Sequence, residues 1–240
     1  MVGPLPIKFI VLGQVGVGKT CLMKRFCEGE FPEYVESTLQ PDIAVAYVQV
    51  KGFHIRLEIH DTLGQERFGK LPNILYRNTD GIILVCDLTQ AETFSSLTSW
   101  LAEIKDHCDD DVSVVIAGNK MDDTNGRLVT RQMIGSFANV ENYQFLETSA
   151  KNNINVERVF FSLLNEVLRK KTLLPECSVS EMSIVPKEIV DNRQPYLPQK
   201  LTAEKVDIIS LKLHKFKEST KTEVKSCAAQ TGEGSSSCSC

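Results

Sequence analysis

One stretch, GQVGVGKT from Gly13 to Thr20, constrains this chain more than any other. It follows "IKFIVL" (7–12), an apolar, β-branched run of strand length, and opens directly into "KTCLMKRFCEGE", which reads as a helix. A Gly-x-x-x-x-Gly-Lys-Thr spacing between strand and helix is the setting in which a loop wraps phosphate. Gly13 allows a tight turn, and backbone N–H groups through Gly18 can cradle phosphate oxygens. Lys19 adds a point charge, the Thr20 hydroxyl can ligate Mg²⁺, and the helix N-terminus adds its dipole. The loop thus nominates Gly13, Val15, Gly16, Val17, Gly18, Lys19, Thr20 and Cys21 for nucleotide binding. Val15 stands out, because a branched apolar side chain occupies the middle of a loop that works through its backbone.

The rest of the first 171 residues alternates strand and helix signals. "IAVAYVQV" and "FHIRLEIH" alternate with period two and meet at Lys51-Gly52, a hairpin signal. "GIILVCDL" (81–88) and "VSVVIAGN" (112–119) are near-continuous apolar runs, as in central parallel strands. "TFSSLTSWLAEIKDHC" places Phe94, Leu97, Leu101 and Ile104 on one helical face. "FLETSA" reads as a last strand. "NVERVFFSLLNEVLRKK" reads as a last helix with Val156, Val159, Phe160, Leu163, Leu164 and Val167 together. This predicts a three-layer α/β domain over 1–171, with six strands, mostly parallel, and one antiparallel edge strand.

From 172 to 240 the character changes to a neutral segment with nine Lys/Arg, nine Asp/Glu and four prolines, closing on "TGEGSSSCSC". A long flexible tail is expected there. Within it "AEKVDIISLKLHKF" spaces Val206, Ile209, Leu213 and Phe216 as a helix would, either as a docking element or as a transient one. Net charge is −4, which excludes a global basic field and with it nucleic acid as a partner. No apolar run reaches the roughly 20 residues of a membrane helix. The start has no signal-peptide layout, and residue 2 is Val, outside the myristoylation pattern. Cys21, Cys27, Cys86 and Cys108 sit singly and read as reduced thiols of a cytosolic protein.

Which nucleotide binds is decided far from the loop. "GNKMD" (118–122) and "ETSAK" (147–151) each end a strand, so both belong at the carboxyl edge of the sheet beside the phosphate loop. A carboxylate at Asp122 can accept from guanine N1–H and the 2-amino group, whereas adenine would leave it unpaired. Asn119 can brace the loops, the Lys120 stem can lie along the purine, and the Ala150 N–H can meet O6. Ser149 and Lys151 complete that set. In "HDTLGQE" (60–66), Asp61 is placed to hold Mg²⁺, Gly64 to offer an N–H to the γ-phosphate, and Gln65 to orient an attacking water. Thr38 is the candidate second Mg²⁺ hydroxyl. Gln65 and Lys19 are therefore the catalytic pair, and Thr20, Thr38 and Asp61 the metal set.

Together "GQVGVGKT", "DTLGQERF", "GNKMD" and "ETSAK", with "YRNTDGIILVCDLT" and "SWLAEIK" between them, resemble the Ras superfamily of small GTPases over about 7–171. The "ERF" after Gln65, the "WLAEI" helix and the Cys-x-Cys of Cys238 and Cys240 resemble the Rab branch. The resemblance implies a GTP/GDP- and Mg²⁺-dependent switch in vesicle traffic. It implies effectors, an exchange factor, a GAP and prenyl escort proteins that read residues near 33–43 and 62–78. It also implies double prenylation at Cys238 and Cys240, a cytoplasmic-face membrane location, and cycling through the cytosol. Two rivals remain at this point: a GTP-binding interaction protein without useful hydrolysis, and a P-loop ATPase or kinase. Several positions depart from the Rab pattern. Leu39-Gln40-Pro41-Asp42-Ile43 replaces the usual Ile-Gly-Val-Asp-Phe, His60 stands for a tryptophan, and Leu63 for an alanine.

Overall fold

The computed structural model describes residues 4–32, 42–62, 73–173 and 177–191. The apolar runs become β1 (Leu5–Leu12), β2 (Asp42–Val50), β3 (Phe53–Asp61), β4 (Gly81–Asp87), β5 (Ser113–Asn119) and β6 (Gln144–Glu147), joined by a further strand, β7 (Met182–Ile184). One sheet carries them in the order β6-β5-β4-β1-β3-β2-β7. The pairings among β6, β5, β4, β1 and β3 are parallel, while β2 runs against both β3 and β7. The β2–β3 hairpin turns at Lys51 and Gly52, whose φ values of 47 and 83 degrees are both left-handed, as a two-residue turn between twisted strands requires.

Alternation along each strand builds two cores. Ile7, Phe9 and Val11 of β1, Ile83 and Val85 of β4, and Val115 and Ala117 of β5 point to one face. There they meet α1 (Lys19–Glu28) and α6 (Val156–Lys170), with Phe26 stacked on Phe160 at 4.0 Å between ring centroids. Ile10, Leu12, Ile82, Leu84, Cys86, Val114 and Ile116 point the other way. They meet α3 (Ala91–Ser95), α4 (Leu97–His107) and α5 (Arg131–Glu141). Every residue of β4 and β5 is buried, the consequence of helices on both faces. The three-layer expectation is met. The stripe of the last helix is buried as read, at Val156, Val159, Phe160, Leu163, Leu164 and Val167.

Three features differ from the sequence reading. The segment 93–108 is two helices meeting at Ser96, where Ser96 Oγ donates to Thr93 O at 2.8 Å and Thr93 Oγ1 to Gln90 O at 2.8 Å. Such side-chain bonds to backbone carbonyls interrupt a helix. Helix α5 carries no readable stripe, since only Ile134 is buried on it. Finally, the sheet has seven strands, not six. The seventh comes from beyond residue 171, where the sequence suggests only tail, and at three residues it is too short for alternation to reveal. β7 pairs Val48 with Ile184 and Val50 with Met182, and Val185 N donates to Tyr47 O at 2.9 Å. Buried Met182, an ion pair of Lys51 with Glu181 at 3.7 Å, and a Cys177 thiol donating to Asn165 Oδ1 at 3.1 Å hold the segment down. α2 (Asn73–Tyr76) and α7 (Lys187–Asp191) are single turns.

Cys21, Cys27, Cys86, Cys108 and Cys177 are all free thiols. Burial pushes Cys27 and Cys86 up to about 12 and Cys108 up to about 11, which favours the protonated thiol. Among the described residues no helix is long and apolar enough to cross a membrane.

Candidate functional site

Parallel strands place their carboxyl ends at one edge, and among the described residues the loops after β1, β4, β5 and β6 leave from it. The loop after β1 turns at Gly13, whose φ is 136 degrees and where a Cβ would lie 2.1 Å from the Val85 carbonyl oxygen. It ends at Gly18, φ 95 degrees, where a Cβ would lie 2.4 Å from Asn119 Nδ2. Only glycine satisfies both the backbone and the space at these two positions. Lys19 is buried, and its Nζ donates to the carbonyls of Gly13 at 2.5 Å and Gln14 at 2.8 Å, so the ammonium sits across the loop. α1 then starts with a glycine N-cap and no acidic residue in its first turn. Neither supplies an anion to these amides, the condition for receiving one from a ligand. Val17 and Cys21 are buried, Val15 half-buried, and Gly16 exposed.

Asp61 closes β3 opposite Val11 of β1. Its Oδ2 accepts from Thr20 Oγ1 at 2.5 Å, while its Oδ1 is buried with no hydrogen-bond partner among the described residues. Burial raises the Asp61 carboxyl above its ordinary range, against the Thr20 bond and the Lys19 charge. A buried carboxylate with an unused oxygen beside a hydroxyl fits a hard divalent cation, which takes oxygen ligands. Thr62 next to it donates to Val11 O at 2.8 Å and locks the end of β3 onto β1.

The two loops after β5 and β6 are bound to each other and to the phosphate loop. Asn119 Nδ2 donates to Val17 O at 2.9 Å, and Asn119 Oδ1 accepts from Ala150 N at 3.1 Å. In this structure the Ala150 N–H thus points at Asn119. Ser149 Oγ donates to Asp122 Oδ1 at 2.6 Å and accepts from Asn152 N at 2.9 Å. That leaves the Asp122 carboxylate oriented and with acceptor capacity to spare. Lys120 is in the left-handed region, φ 65 degrees, and its Nζ lies 2.7 Å from Asp87 Oδ2. The pair is a charge contact, since that oxygen has no aligned hydrogen bond among the described residues. Lys151 is exposed.

Gly13, Val15, Gly16, Val17, Gly18, Asp61, Asn119, Lys120, Asp122, Ser149, Ala150 and Lys151 thus lie on this edge or on the loops leaving it, and Lys19, Thr20 and Cys21 open α1 beside them. Thr38, Leu63, Gly64, Gln65, Cys238 and Cys240, and the helix-like stretch 203–216, lie outside the described residues. Sequence reasoning missed Asp87, which faces Lys120 and accepts from Thr89 N at 2.8 Å. The signal was present: an aspartate ending an otherwise apolar buried strand. It also missed Arg127, whose guanidinium holds Glu147 with two bonds of 2.9 and 2.6 Å.

Comparison with known proteins agrees with this geometry. The Ras family model matches residues 8–169. Ras-related protein Rab-12 of Homo sapiens is 40% identical over 168 residues, 70% of this chain and 69% of its own length. Ras-related protein Rab-30 of Homo sapiens is 37% identical over 174 residues, 71% and 86% of the two chains. Ras-related protein Rab-8B of Dictyostelium discoideum is 36% identical over 180 residues, 75% and 89%. The chain belongs to the Ras family. Within it the chain is a Rab-like small GTPase, a GTP-hydrolysing switch of membrane traffic that uses GTP, GDP and Mg²⁺.

The Arg127–Glu147 pair gives a test of how the loop after β6 is held. The Arg127 guanidinium lowers the Glu147 carboxyl below its ordinary value. A lowered carboxylate stabilises the fold above its unfolded-state pKa, and that contribution disappears as pH falls through the folded one. Glu147→Gln should therefore lower stability by about 1–2 kcal/mol at pH 7. Denaturant titrations of both proteins should converge below the ordinary glutamate range; a gap that persists at low pH would rule out the charge as its cause.

Proposed function

We propose that the chain switches between GTP- and GDP-bound states at this edge and recruits partners in one of them. The observation that carries the reading is the buried Asn119 side chain, bonded at once to the phosphate loop and to the loop that orients Asp122. Asp122 accepts from the guanine N1–H and 2-amino groups. The loop amides and Lys19 hold the phosphates. Thr20 and Asp61, with Thr38, would hold Mg²⁺, which supplies charge neutralisation at the phosphate oxygens. Gln65 orients the attacking water and Gly64 offers its N–H to the γ-phosphate.

Residues near 33–43 and 62–78 order around the γ-phosphate and present the surface for effectors, exchange factor, GAP and prenyl escort proteins. Within these segments Ile43 is 55% exposed and Ile74 is 75% exposed, apolar surface suited to a partner. Cys238 and Cys240 carry two prenyl chains, because one chain gives only marginal membrane binding. The protein then works at the cytoplasmic face of an intracellular membrane and cycles with the cytosol. The rival ATPase reading has no counterpart for Asp122 oriented by Ser149.

Guanine specificity is tested at Asp122. Asp122→Asn removes the acceptor for the 2-amino and N1–H groups, so GTP affinity should fall by about tenfold or more while xanthosine triphosphate gains. Equal affinity of the wild-type protein for ATP and GTP would falsify the assignment.

Hydrolysis is slow in this reading. The half-buried Val15 side chain stands in the loop where the attacking water and an arginine from a GAP must approach the γ-phosphate. Nucleotide binding through backbone amides and Lys19 is spared. Single-turnover hydrolysis should be faster in Val15→Gly, with the larger gain when a GAP is added, since such an arginine contributes about 10³–10⁵ in rate. The same rate in both proteins would reduce Val15 to a packing residue.

The lipid anchor has its own readout. With Cys238 and Cys240 both changed to Ser, the protein should leave the membrane fraction of cells and keep its affinity for GDP. Unchanged membrane recovery of the double variant would remove the anchor.

A further inference from the structure

Arg25 belongs to no motif in the sequence, yet it ties two distant segments of the chain together beside this edge. It lies on α1, the helix that follows the phosphate loop. Its guanidinium reaches the loop after β6, 125 residues away, where Nε donates to the Ala150 carbonyl at 3.0 Å. Nη2 donates to the Lys151 carbonyl at 3.1 Å. Nη1 turns back and donates to the Gly29 carbonyl at 2.6 Å, and the Gly29 N–H donates to Arg25 O at 3.2 Å. The Arg25 Cζ stands 5.8 Å from the centre of the Phe31 ring, within range of a cation–π contact. One planar fork therefore holds three carbonyls, on the far end of the phosphate helix and on the base loop.

Two of those carbonyls, of Ala150 and Lys151, belong to the loop that carries the base-reading residues. The Ala150 N–H bonds Asn119, and the neighbouring Ser149 hydroxyl orients Asp122. Fixing the peptide groups of Ala150 and Lys151 from behind limits how far Ser149, and with it Asp122, can drift. We propose that Arg25 is a positioning residue of the base site, one that sets how long a guanine nucleotide stays bound and how strictly the 2-amino group is read. The proposal rests on the guanine reading of Asp122 given above. A lysine does not replace the fork, because an ammonium is a single point of charge without parallel donors in a plane.

The experiment uses the full chain loaded with ribose-labelled fluorescent GDP or IDP in the presence of Mg²⁺. Dissociation is followed after adding excess unlabelled nucleotide, for wild type, Arg25→Gln and Arg25→Lys. IDP lacks the 2-amino group, so the wild-type ratio of IDP to GDP off-rates measures how firmly Asp122 reads it. Losing charge-assisted bonds to the base loop should raise the GDP off-rate about tenfold in both variants and shrink the IDP/GDP ratio toward one. A helix-supporting role alone would multiply both off-rates by the same factor and leave the ratio intact, and that outcome, or unchanged off-rates, overturns the proposal. Should Arg25→Gln fail to fold, Arg25→Lys reads the same ratio. A wild-type protein that releases GDP and IDP equally fast would instead sink the guanine reading itself, whatever the variants do.

Discussion

Everything at the nucleotide edge depends on one buried amide side chain. Asn119 ends a strand that is covered on both faces, so its position is set by the core and not by the loops around it. From there it donates to the phosphate loop at Val17 and accepts from the base loop at Ala150, with Thr148 Oγ1 at 3.4 Å from the same oxygen. A buried amide whose nitrogen and oxygen are both engaged favours one arrangement, because another would leave these polar atoms unpaired in a low-dielectric interior. Gly18 is required by the same contact, since any side chain there would collide with the amide. Two loops far apart in sequence, at Val17 and at Ala150, therefore share one anchor, which is how a pocket can be assembled before its ligand arrives.

Buried acids add the second constraint. Asp61 and Asp87 both end strands and are almost without solvent contact. Each would be costly alone, and each is met: Asp61 by Thr20 and the nearby Lys19 charge, Asp87 by Lys120 and Thr89. Of the two, only Asp61 keeps an oxygen free of both hydrogen bond and ion pair among the described residues. The pattern separates an acid that organises the protein from one available to a metal.

How far the sequence could be read follows from where each contact lies along the chain. The phosphate loop, the strands β4 and β5 and the stripe of α6 were legible because their signals are local: glycine spacing, unbroken apolar runs, helical periodicity. Asn119 and Asp122 were legible because they end such runs. Arg25 and Arg127 were not, because each acts through carbonyls or a carboxylate supplied by distant segments, and an exposed-looking arginine on a helix or loop has no local mark. Helix α5 escaped because it buries one residue only, and β7 because three residues carry no period. The position of His60 was read only as a departure. In the structure it pairs across the hairpin with exposed Ile43, and burial and the Lys8 charge hold its imidazole toward the neutral form.

The short strand β7 changes what kind of object the sheet margin is. Along Val48 to Val50 the main-chain groups of β2 are already occupied by a strand from the same chain, whereas no strand among the described residues pairs with β2 outward of Asp42 to Ala46. An extended peptide that adds itself to a sheet edge must then compete with a tethered rival. The rival is present at an effective concentration on the order of millimolar for a short linker. Among the described residues the margin is thereby divided into a closed half and an open half. Only a partner content with the open half, or able to outlast the tether, can extend this sheet.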